Sequence, residues 1–210
     1  MSSAAIPLFS PQRLAELRAA ALAYLQEQLR ERAPANTEFA AAFDESPLDG
    51  EGPAALFRFE LRPGGPAGAC AADDALRHFV VVGETAPNYS PAFGLSDDDA
   101  YSLHIGTRFL LEMGLEKLDA DQAGEPLRAT AERLARDCNP TATIADMQCV
   151  LAFRCQESIF GVVRLSIGAQ PVYAIIGDVA PGFVEQVDHP PQMALRLHLG
   201  RVIRAEARAG

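Results

Sequence analysis

The sequence predicts an α+β fold: a single antiparallel sheet of five to six strands, with N-terminal, central and C-terminal helices packed on it in the order α-βββ-αα-βββ-α. Three observations lead there. Apolar residues alternate with period two in short runs that fall into two groups. The links within each group are too short for parallel crossovers, so neighbouring strands run antiparallel. Stretches with apolar residues three and four apart bracket and divide the two groups. The chain has 210 residues, 49% hydrophobic and 22% charged. That is enough to build a core without disulfide or metal staples, and one domain over residues 1–210 is expected.

Each element has a local reason. Ser10-Pro11 opens a helix to about Arg32, because serine caps free backbone donors and proline suits the first turn. Leu14, Leu17, Leu22, Leu25 and Leu29 make its apolar stripe, and Pro34 ends it. Phe39, Ala41 and Phe43 alternate with Glu38, Ala40 and Asp44, which predicts a strand with the three named first on one face. Ala55, Phe57, Phe59 and Leu61 give the cleanest alternation in the chain, and Phe79-Val80-Val81-Val82 reads as a central strand. The glycine- and proline-rich run beginning at Pro63 predicts a mobile surface loop near 63–76, and the extreme termini are expected to be disordered.

Ser96 caps a second helix to about Gly114, with Asp97, Asp98 and Asp99 in the first turn, where the helix dipole favours negative charge. A third helix is expected over 126–137, with Leu127 and Leu134 inward and Asn139-Pro140 as its stop. Met147, Cys149, Leu151 and Phe153 alternate with Gln148, Val150, Ala152 and Arg154. Ile159–Ile167 and Val172–Ile176 complete a meander, with turns at Cys155-Gln156-Glu157-Ser158 and Gly168-Ala169-Gln170-Pro171. Pro181-Gly182 breaks the chain. A last helix follows Pro190-Pro191 to about Ala207, with Leu195, Leu199 and Val202 inward and Arg201, Arg204 and Arg208 suiting its C-terminal dipole. This order of elements, and nothing closer, resembles small sensor and adaptor folds of the profilin, GAF and roadblock kind, and the layout of acidic secretion chaperones.

The net charge is −10. Residues 36–125 hold 17 acids against 5 bases, so the acidity is concentrated there. A surface of that sign does not neutralise phosphates, which argues against nucleic acid and against anionic membranes. Lys117 stands alone beside 17 arginines, a usage that suggests a GC-rich bacterial source. The N-terminus lacks a secretory signal pattern, and no apolar run is long enough to span a membrane, so a cytoplasmic location with reduced cysteines is expected.

The chain shows no phosphate-cradling glycine loop, nucleophile elbow or Cys/His ligand spacing. No cofactor and no metal are expected. The strongest candidate site is a polar-aromatic loop over 85–95, containing Asn88 and Tyr89, together with Tyr101, His104 and Arg108 at i, i+3 and i+7 on one helix face. A phenol, an imidazole and a guanidinium on one face suit a carboxylate or phosphate. Gly106 in the same helix costs roughly 1 kcal/mol relative to alanine, which points to a close approach by another backbone.

The expected function is a non-enzymatic binding, adaptor or regulatory role through protein–protein contacts, with a protein partner or a second copy in a homodimer. The alternative is a sensor of a small anionic ligand using the 85–95 loop and the Tyr101/His104/Arg108 face. A third reading is an enzyme with His104 as acid or base. A flat apolar surface favours the first, and a pocket joining His104 to Arg108 favours the others.

Overall fold

Ser10 caps the first helix: its hydroxyl accepts the Arg13 N–H at 3.1 Å, and α1 runs Pro11–Leu29. The computed structural model describes residues 8–29, 34–44, 48, 53–61, 77–82, 88–92, 95–185 and 187–209. The chain divides into two compact units, Met1–His104 with Arg204–Gly210, and Ile105–Ile203.

The first unit holds α1, then β1 (Pro34–Phe43), β2 (Ala54–Leu61), β3 (Arg77–Val82) and β4 (Asn88–Ala92), paired antiparallel in that order. It also takes the start of α2 (Asp97–Glu112) and the end of α4 (Pro191–Ala209). Strand β2 has two working faces because alternate side chains point opposite ways. Ala55, Phe57 and Phe59 pack with Leu17, Ala21 and Leu25 of α1 in one buried cluster. Burying each of the larger side chains contributes roughly 1.5–3 kcal/mol. On the opposite face Leu56 is buried and Arg58 reaches Asp97, in the first turn of α2.

A bulge on β1 changes which side chains share a face. The pairing with β2 is regular from Asn36 to Phe39 and slips between Phe39 and Ala41. An extra residue at that point reverses the alternation that follows. Phe39 lies opposite Phe57, with ring centroids 5.9 Å apart, on the α1 face. Phe43 lies opposite Ala54 and stacks on Tyr101 of α2 at 4.0 Å. Phe39 and Phe43, in phase in the sequence, therefore serve opposite faces of the sheet.

The second unit holds a five-stranded antiparallel sheet, β5 (Glu116–Lys117), β6 (Ile144–Cys155), β7 (Ser158–Ile167), β8 (Gln170–Ile176) and β9 (Gly182–Val184), in that order. Helix α3 (Ala120–Cys138) packs Ala123, Leu127, Ala131 and Ala135 against Cys149, Val163, Leu165, Val172, Ala174 and Ile176. Strand β6 repeats the β1 device: its pairing slips between Cys149 and Leu151, so Ala152 rather than Leu151 joins Cys149 on the α3 face. Gly161 in β7 is required there, since an added Cβ would lie 2.8 Å from Leu127 Cδ1 and overlap the Leu151 carbonyl.

The α+β class, the antiparallel pairing and the alternation of helices with strand groups are as expected. The single sheet is not: the strands form one sheet of four and one of five. Hairpin-length links and alternation specify only which consecutive strands pair. Whether two edges from different groups join is a long-range choice that leaves no local signal. The expected loop over 85–95 contains β4, paired with β3. Pro91 suppresses the strand signal, yet proline is tolerated because β4 is an edge strand. Helix α3 begins at Ala120, so Pro126 falls inside it. Ala123 packs in the core and Gly124 lies against Cys149, and that packing outweighs the proline's preference for a first turn. Pro181-Gly182 does not end the sheet, because Gly182 starts β9. The loop expected over 63–76 and the extreme termini lie outside the described residues.

Candidate functional site

Tyr101, His104 and Arg108 stand on one face of α2 but meet different environments. Tyr101 is fully buried and His104 is 3% exposed, with their ring centroids 6.0 Å apart. Tyr101 is part of an aromatic stack with Phe43, and the Arg204 guanidinium carbon lies 4.8 Å from its ring centroid. Its role in this unit is packing and cation–π contact. Arg108 belongs to the second unit and donates to Glu112, one turn on in its own helix, at 3.1 Å. The backbones of Asn88 and Tyr89 lie in β4, opposite Val81 and Val80; their side chains lie outside the described residues.

The sequence places Arg204 only as a complement to the C-terminal dipole of α4. It is instead 2% exposed. Position 204 is a heptad beyond buried Leu197 and next to buried Ile203, so the apolar stripe of α4 runs onto it. That phase is the signal in the sequence for a buried position 204. Cys138, Cys149 and Cys155 are in no disulfide, the Cys149 thiol donating to the Leu151 carbonyl at 3.5 Å, and Cys70 lies outside the described residues. Among the described residues no three His, Cys, Asp or Glu side chains gather as a metal-holding group. No helix among them is long and apolar enough to cross a membrane.

The more open surface lies beside α1. Its core stripe is Leu17, Ala21 and Leu25. A second stripe, Pro11, Leu14, Ala15, Arg18, Ala19 and Leu22, lies at i, i+3, i+4, i+7, i+8 and i+11 and forms one wall of a groove of about 540 Å³. Phe39 and Phe57 form the rest of the lining. Among the described residues α1 packs chiefly over β2, β3 and β4, and the groove lies on its β1 side. Phe39 consequently stays 43% exposed. Among the described residues this lining has no nucleophile and no carboxylate; it offers apolar area and one guanidinium. Arg18 is already engaged within the chain. In the second unit Leu111 is 71% exposed beside a smaller pocket of about 190 Å³, whose lining includes Leu110, Leu115, Phe153 and Leu195.

No family model, curated protein or solved structure matches this chain.

Proposed function

We propose that this chain is a non-enzymatic binding or adaptor protein that acts through protein–protein contacts. The observation that carries the reading is the groove beside α1, where Leu14, Leu22 and Phe57 surround a half-exposed Phe39. Aromatic side chains held in a rigid apolar recess are typical anchors of protein interfaces, and a few such residues supply most of the binding free energy. The chemistry of the lining supports the same reading, because contact area is what it offers to a partner. The exposed Leu111 of the second unit adds a further apolar contact point.

The test is affinity isolation from the source cells with wild type and Phe39→Ser, after denaturation has shown that both are folded. The expected result is a partner protein, or a second copy of the chain, held by wild type and lost from the variant. Truncating an interface anchor weakens binding by about 30-fold, which corresponds to about 2 kcal/mol. Identical bound proteins in equal amounts, or none with either form, would overturn the reading.

A further inference from the structure

We infer that the groove binds its partner by strand addition: an extended, basic segment of the partner pairs with the edge of β1 that faces away from β2, along Asn36–Phe39, and seats an apolar side chain against Phe39. This inference rests on the protein-binding reading and specifies its mode and partner chemistry.

Sheet edges are templates for further pairing, and proteins usually blunt them by shortness or proline. Among the described residues, three of the four edge strands of the two sheets follow that rule. β5 has 2 residues and β9 has 3, while β4 has 5 and contains Pro91. β1 is different. It has 10 residues, and among the described residues its pairing is with β2 alone. Its regular run ahead of the bulge, Asn36–Phe39, is long enough for a short added strand. The groove along α1 lies beside it, so an added strand would have an apolar recess for every second side chain.

Charge selects the occupant. Within β1 the one charged residue is Glu38, whose side chain is 69% exposed; its ion pair is with Arg58 of β2 at 3.7 Å, but Arg58 also holds Asp97, so two carboxylates share one guanidinium, and exposed Asp44 follows the strand. No base lies on the strand. A second copy paired there would bring Glu38 towards its own likeness, and like charges across strands are destabilising. A segment with lysine or arginine beside its apolar residues gains opposite-charge pairs at the same positions.

The experiment uses the full chain and three short blocked peptides: valine alternating with lysine, valine alternating with glutamate, and the lysine peptide N-methylated at every second residue. N-methylation removes the donors that a ladder needs and leaves the side chains. Binding is read by fluorescence anisotropy and by amide hydrogen exchange along β1. The expected result is that the lysine peptide binds about tenfold or more tightly than the glutamate peptide. It slows exchange within Asn36–Phe39, loses affinity when N-methylated, and cedes its preference to the glutamate peptide in Glu38→Lys. Equal binding of lysine and glutamate peptides, equal binding of the methylated peptide, or no binding would overturn strand addition. A partner still lost from Phe39→Ser in that event leaves the protein-binding reading standing. Partner binding that survives Phe39→Ser removes both.

Discussion

The guanidinium of Arg204 donates to the Asp98 carboxylate at 2.7 Å and to the Asp98 carbonyl at 2.7 Å, so one side chain near the end of α4 grips both ends of a residue in the first turn of α2. It also donates to the Ser102 hydroxyl at 2.6 Å and lies near the Phe43–Tyr101 stack. Asp97, beside Asp98, is taken by Arg58 of β2. The acidic start of α2 therefore does more than complement a helix dipole. It is the point to which a strand and a distant helix are tied within the first unit.

Arg204→Ala is expected to destabilise the protein by about 3 kcal/mol, since it removes hydrogen bonds from a buried cation and leaves a cavity against Tyr101. Asp98→Asn is expected to cost less, because the Asp98 side chain is mostly exposed and water screens the pair. Its effect depends on acid. The hydrogen bond from Arg204 holds the Asp98 carboxyl below the usual carboxylate range, outweighing the opposing effect of burial. As pH falls the unfolded carboxyl takes its proton first, so the stability it supplies is present above the ordinary carboxylate range and is lost as pH passes the lowered folded value. Urea midpoints at pH 6 and in strong acid should show the gap between wild type and Asp98→Asn closing. A gap that is unchanged in acid would remove the ionic contribution.

The sequence displayed much of this architecture and little of its wiring. Ser10 and Ser96 cap their helices as their positions suggest, and each hydroxyl accepts an N–H three residues on at 3.1 Å. The alternation in β2 marks a two-faced strand correctly. In β1 and β6 the alternation misleads, because a bulge is one extra residue in a pairing and has no signature in a single strand's pattern. The alternation thus puts Phe39 on the face of Phe43, and its place beside α1 follows only from the bulge. Arg204 was hidden by its company: Arg196, Arg201 and Arg208 of the same helix are exposed, and composition does not single out the buried one. Tyr101, His104 and Arg108 share the predicted helix face, but their spacing says nothing of the stack and the ion pair that occupy them.

Gly106 is a position where the sequence argument and the packing agree. An added Cβ would overlap the Arg196 carbonyl of α4 and lie 3.0 Å from the Gly200 nitrogen, all within the second unit. Alanine would recover about 1 kcal/mol of helix propensity. Overpacking against backbone, which has no rotamer to yield, costs about 1–3 kcal/mol and is expected to win. Gly106→Ala should therefore lower the denaturation midpoint, and Gly106→Leu should lower it further. A midpoint at or above that of wild type for Gly106→Ala would show that the helices separate freely at this point.

His198 of α4 gives the last expectation. Its Nε2 donates to the Ala180 carbonyl at 2.9 Å, and Gly182 leaves room for the ring, since a Cβ there would stand 3.0 Å from Cε1. Burial pushes the imidazole below its ordinary value of 6.5; the Ala180 hydrogen bond opposes that shift, and the nearby charge of Arg201 adds to it. The folded protein therefore holds His198 neutral over a range in which the unfolded chain is protonated. More protons are then bound in the unfolded state, so stability rises with pH across that window. The contribution is neutral above the ordinary histidine range, and acidification through that range weakens the fold until the lowered folded value is passed. Glutamine keeps an N–H donor for Ala180 and has no such titration. Urea midpoints at pH 7.5 and pH 5.5 should fall more for wild type than for His198→Gln. Equal declines in the two proteins would show that His198 takes its proton as readily in the fold as out of it, and that the Ala180 contact does not depend on a neutral ring.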